Sequence, residues 1–117
     1  MWMVRPAATP RLDAETTAAA KANAFLLSAG EAYPPTDHLA FQKAGWPAVS
    51  FSLVGKDEID GILAAFKGHQ AESGMPKVMA VIHSDHDTVD ELDSANIPTA
   101  LRTIEDALRA SDATSGK

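Results

Sequence analysis

An α/β domain is the fold class this sequence predicts, and three segments carry that reading. Ala48-Val-Ser-Phe-Ser-Leu-Val54 supplies β-branched and aromatic residues at strand length. Asp57 to Phe66 sets Ile59, Ile62, Leu63 and Phe66 at the i, i+3, i+4, i+7 spacing of an amphipathic helix. Val78-Met-Ala-Val-Ile82 is a continuous apolar run followed at once by polar residues, as in a buried strand whose carboxyl end opens into a site. Strands alternating with helices in this way imply a layered architecture around one core.

The remaining elements follow in order. Trp2, Met3 and Val4 read as a short strand or extended lead-in within residues 1–12, and Thr9-Pro10 punctuates the chain. The Ala-rich run after Asp13 predicts a helix over about Ala14 to Ser28, capped by Asp13 and ended by Gly30. Glu31 to Pro35 must be loop, because Pro34 and Pro35 both lack a backbone donor. A short helix over Asp37 to Lys43 ends at Gly45-Trp46-Pro47, and Lys67 to Pro76 is a polar loop. Asp93 or Ser94 caps a closing helix with apolar positions Ile97, Leu101, Ile104 and Leu108, and Pro98 fits its first turn. Ser111 to Lys117 is a small, polar tail expected to fray.

Composition narrows the function classes. A chain of 117 residues with 45 % apolar and 22 % charged residues suits one soluble globular domain. The net charge of -6 and dispersed Lys and Arg offer no basic surface for nucleic acid. Without cysteine there is no disulfide, thiolate ligand or thiol nucleophile, and the compartment stays open. Apolar stretches fall short of the roughly 20 residues that span a bilayer, and the first ten residues do not read as a signal peptide.

Two constellations carry chemistry. His83-Ser-Asp85-His86-Asp87-Thr88 concentrates imidazole and carboxylate, the natural ligands of zinc, but Asp and Ser in such a loop also bond their own backbone. Tyr33-Pro-Pro-Thr36-Asp37-His38-Leu-Ala-Phe41 precedes Ala44-Gly-Trp-Pro-Ala-Val-Ser-Phe51, where Thr36 or Asp37 also serves as an ordinary helix cap. A mononuclear site made by His83, Asp85 and His86 alone is a third possibility, although neighbours in one tight loop rarely face a single point.

Taken in order, Thr-Asp-His-x-x-Phe, Ala-Gly-x-Pro-Ala-Val-Ser-Phe and Ile-His-x-x-x-Asp-Thr-x-Asp-x-Leu-Asp resemble the carboxyl-terminal segment of co-catalytic zinc aminopeptidases, peptidase family 28 of metallopeptidase clan MH. The resemblance runs from about Tyr33 to Ala110. It implies a partial three-layer sandwich, with a mixed sheet flanked by helices, and zinc-dependent removal of amino-terminal residues from peptides. Residue by residue, it assigns His83 as a ligand of one of two zinc ions and Tyr33 as a helper that stabilises the tetrahedral intermediate. Asp87 and Thr88 would shape the ligand loop, and Thr36, Asp37 and His38 would support the site. The related glutaminyl cyclases carry an acidic residue where Thr36 stands and a tryptophan where Ile82 stands, so both positions favour the peptidase branch.

The family's His-x-Asp, its Glu-Glu pair and a further Asp have no counterpart before Tyr33, where the acidic residues are Asp13, Glu15 and Glu31. A two-metal hydrolase needs a bridging carboxylate and a carboxylate base. The sequence therefore predicts that the isolated chain is inactive and supplies only part of a site; whether Met1 is a true start stays open, and a longer parent chain could have carried a signal. The alternative is a truncated or repurposed non-catalytic module. Either way, apolar faces left bare predict a homo-oligomer or pairing with the missing amino-terminal half.

Overall fold

The fold is organised by the first four residues. Met1, Trp2, Met3 and Val4 are all buried, and Met3 is fully so. In this computed structural model, which describes residues 1–5, 10–69 and 74–115, Trp2–Val4 forms β1, the centre of a three-stranded sheet in the order β2-β1-β3. β2 (Ser28–Gly30) runs parallel to it, with Trp2 beside Ser28 and Val4 beside Gly30. β3 (Phe51–Ser52) runs antiparallel, with Trp2 beside Ser52 and Met3 beside Phe51. The extended reading of Trp2 to Val4 thus corresponds to a central strand, and the coarse α/β assignment holds with a small mixed sheet.

The strand expected over Ala48 to Val54 contracts to the two residues that pair with β1. The strand expected over Val78 to Ile82 is absent. Lys77–Val81 is instead a short helix, α4. The apolar run is not buried: Ala80 and Ile82 are exposed and Val78, Met79 and Val81 only half-buried. A buried strand requires hydrogen-bonding neighbours on both edges. Here the backbone donors are satisfied locally, with the Ala80 and Ile82 N–H groups donating to Pro76 and Val78 carbonyls at 3.2 and 2.9 Å.

The first helix, α1, spans Pro10–Ala22 rather than Ala14 to Ser28. Pro10 opens it, since the first turn needs no N–H there. Its end is a Schellman turn: Phe25 N–H donates to Ala20 O at 2.9 Å and Ala24 N–H to Lys21 O at 3.2 Å, with Ala24 at φ +50. Gly30, expected to end the helix, lies in β2. Asp13 is not a cap but a partner, its carboxylate 2.9 Å from Arg5 Nε.

α2 (His38–Lys43) and α3 (Ile59–Phe66) lie where the sequence places them. Gly45 and Gly68, at φ +84 and +75, close them with the same turn geometry. Glu58, just before α3, receives the Gly55 and Lys77 N–H groups on its two carboxylate oxygens and so pins α4 to α3. Of the expected loop Lys67 to Pro76, residues 70–73 lie outside the described residues.

Asp93 accepts the Ala95 N–H at 3.1 Å, and a 3-10 turn at Ser94–Asn96 leads into α5, Ile97–Ser115. The helix continues to Ser115 through most of the segment expected to fray, and residues 116–117 lie outside the described set. α5 packs against α1. Its buried positions are Ala100, Thr103 and Ala107 rather than the predicted leucines: Leu101 and Leu108 are 62 % and 54 % exposed. Opposite lie Leu12, Thr16, Ala19 and Ala20 of α1. Small side chains on both helices let the backbones approach closely, and the two buried threonine hydroxyls are satisfied by their own helices, at Leu12 O and Thr99 O. No helix among the described residues is long and apolar enough to cross a membrane.

Candidate functional site

Pro34 and Pro35 bar the chain from helix or sheet, so the loop before α2 folds over the edge of β1 and places Tyr33 on Trp2. The two ring centroids are 4.5 Å apart. His38, the first residue of α2, is buried and meets Tyr33 edge-on, with centroids 5.8 Å apart and planes at 88°. Such a T-shaped contact sets a ring edge against the electron-rich face of its neighbour.

Hydrogen bonds then join this aromatic stack to the strand at the sheet's other side. Tyr33 Oη lies 2.7 Å from Ser52 Oγ. Thr36 Oγ1 donates to Ser50 Oγ at 3.1 Å and lies 2.6 Å from His38 Nδ1. The direction of the Thr36–His38 bond follows the imidazole tautomer, and either way it ties the head of α2 to the proline loop. Asp37, next in the chain, is exposed and makes no side-chain cap of α2. Tyr33, Thr36 and His38 are thereby brought together, and Ser50 and Ser52 complete the cluster. Sequence reading quoted Ser50 within a motif but gave neither serine a site role, although their i, i+2 spacing in a strand-forming segment puts both on one face.

Beside this cluster lies an open groove of about 440 Å³, bounded by the end of β1, the proline loop and α2, with Arg5, Glu31, Tyr33, His38 and Gln42 among its lining residues. His83 is not among them. It sits after α4 in the left-handed region, at φ +61, and is exposed. Its N–H donates to Asp87 Oδ2 at 3.3 Å, and the Ser84 hydroxyl accepts the His86 N–H at 3.1 Å. Asp85, Asp87 and Thr88 are also exposed. The loop therefore folds through its own side-chain to backbone bonds.

A zinc ion held by protein needs three or four converging ligands. Among the described residues, no three His, Asp or Glu side chains come together in a way that could hold a metal ion. The described residues by themselves do not assemble a metal pair, and His83, Asp85 and His86 do not form a mononuclear group.

The terminal amine of Met1 donates to Leu26 O at 2.8 Å, extending the contact between β1 and the segment before β2. Burial lowers its pKa below the ordinary value, since desolvation penalises the charged form.

The chain matches no protein-family model, no curated protein and no solved structure. Its function has to be argued from the cluster, the groove and the exposed surface themselves.

Proposed function

We propose that this chain is a non-catalytic assembly module that associates through an apolar face. The observation that carries this reading is the exposure of Trp46 and Phe41, at 66 % and 57 %. Trp46 and Phe41 are held together by the Trp46 N–H to Phe41 O bond of 2.9 Å that closes α2. Aromatic side chains grouped on a rigid helix end are typical anchors of protein interfaces, and grouped apolar exposure of this kind is uncommon on isolated monomers. The hydroxyl and imidazole groups nearby support the same reading. Tyr33, Thr36, His38, Ser50 and Ser52 bond to one another, an arrangement suited to holding the proline loop in place.

The partner this reading commits to is a second copy of the chain. Sedimentation velocity over a range of micromolar concentrations should reveal a dimer or larger species, and Trp46→Ser should shift it towards monomer with its circular dichroism unchanged. A folded monomer at every concentration would remove the basis of the proposal.

A second reading is favoured by His83. Its ring is exposed and makes no hydrogen bond among the described residues, while its backbone is held in a left-handed conformation and anchored by Asp87. An exposed imidazole on an anchored backbone is compatible with the zinc-aminopeptidase resemblance, provided another polypeptide brings the remaining ligands and the base. In that reading the chain contributes His83 and Tyr33 to a peptide hydrolase and is inactive by itself. A peptidase assay of the 117-residue chain with zinc tests this, and turnover abolished by His83→Ala would show that the chain is self-sufficient.

A further inference from the structure

The groove beside Tyr33 has a polarity that follows from an account of its hydrogen bonds. Gln42 donates from Nε2 to Ala48 O at 3.1 Å, which leaves its Oε1 as a free acceptor. Arg5, the one cation at the rim among the described residues, is paired with Asp13 at 2.9 Å and donates to Thr17 at 3.0 Å. Glu31 is exposed and has no hydrogen bond or ion pair within the described residues.

Donors remain on the lining, at the unbonded Nη hydrogens of Arg5 and the second Nε2–H of Gln42, but the charge left without an opposite partner there among the described residues is the Glu31 carboxylate. Val4, Pro34 and Leu39 add apolar surface to the same lining. At about 440 Å³ the groove is large enough for a small organic molecule. We infer that it is a binding site for a primary ammonium ion on a short apolar stem. The charge of the ammonium meets the Glu31 carboxylate, and the stem lies against the prolines and Leu39. An anion finds no unpaired cation there, and a neutral alcohol has a single proton to give. This inference stands apart from the assembly reading, which concerns Phe41 and Trp46.

The test is a titration of the 15N-labelled full chain with n-butylammonium, and in parallel with butyrate and butanol at equal ionic strength. Butylammonium should give saturable shifts at the backbone amides of Glu31, Tyr33, Leu39 and Gln42, and butyrate and butanol should not. Glu31→Gln, a change at an exposed position, should keep the spectrum of the folded chain and weaken binding about fivefold or more, the loss expected for one partly solvated ion pair. Equal response to butanol would mean an apolar groove only and overturn the inference. So would unchanged affinity in Glu31→Gln, or no saturable shift with any of the three probes.

Discussion

The Tyr33 hydroxyl and Ser52 Oγ, 2.7 Å apart, join the proline loop to β3 across the front of Trp2. This one bond closes a loop of 19 residues in sequence, from the strand-like entry of Tyr33 to the edge strand. Removing one partner of a part-buried hydrogen bond costs about 1 kcal/mol. Tyr33→Phe and Ser52→Ala should each lower stability by about that amount in urea unfolding, and the double variant should be scarcely worse than either. Full additivity would mean that the two groups do not interact.

Ala24 offers a test in the opposite direction. It occupies the left-handed position of the Schellman turn that ends α1, at φ +50, where a Cβ is disfavoured. Ala24→Gly should raise stability by about 1 kcal/mol, since glycine takes this conformation without steric cost. Ala24→Val should lower it by a comparable amount. Thermal unfolding of the three chains distinguishes these outcomes directly.

The same residue explains what was legible in the sequence and what was not. Gly45 and Gly68 announce the ends of α2 and α3, because glycine is the expected residue at φ values of +84 and +75. Ala24 gives no such signal, so the sequence reading carried α1 six residues too far, to Ser28. Val78 to Ile82 misled for a different reason. Period alone does not separate a buried strand from a short half-buried helix, and the deciding factor is whether neighbouring strands exist to take the backbone bonds. β1 was recognisable from its composition, but its central place in the sheet depends on pairing with Ser28 and Ser52, far away in sequence. The loop cluster was half visible. Tyr33, Thr36 and His38 drew attention as a motif, whereas Ser50, Ser52 and Glu31 acquire meaning only once the chain has folded back on Trp2.

The α1 and α5 interface rests on small residues, and it should respond to size rather than polarity. Ala107 is 1 % exposed, opposite the Thr16, Ala19 and Ala20 face. Ala107→Leu forces the helices apart and should cost about 1–3 kcal/mol, the usual penalty for overpacking. Leu108→Ala, at a position 54 % exposed, should change stability by less than about 1 kcal/mol, because little apolar area is lost from the core. The two substitutions on adjacent residues, compared by denaturant midpoint, test which face of α5 is turned inwards.

Stability should also depend on pH through the terminal amine. Burial lowers its pKa in the folded chain below the ordinary value of 8.0. Between the lowered pKa and 8.0, the unfolded chain therefore binds more protons than the folded one. Folding stability should rise with pH across that window and reach its full value above it, with the penalty growing as pH falls through the window. Acetylation of the Met1 amine removes the titrating group but keeps an N–H for Leu26 O, so the acetylated chain should lose this part of the pH dependence. Parallel urea curves for the two forms between pH 6 and pH 9 provide the comparison.

His83 permits the stringent test of the zinc reading. At φ +61 its backbone sits where a β-branched residue is strongly disfavoured and glycine is at ease. His83→Gly should therefore leave stability unchanged or raise it slightly, while His83→Val should lower it by about 1–2 kcal/mol. Zinc adds the functional half. A complete site filled at a hundredfold excess over Kd would stabilise the fold by about 2.7 kcal/mol. With no three ligands brought together among the described residues, the chain alone should show much less, and the small effect should be the same in His83→Gly. A large zinc-dependent rise in Tm that disappears in His83→Gly would mean that further ligands reach this loop, from a second copy or from residues beyond those described, and would move the balance to the hydrolase reading.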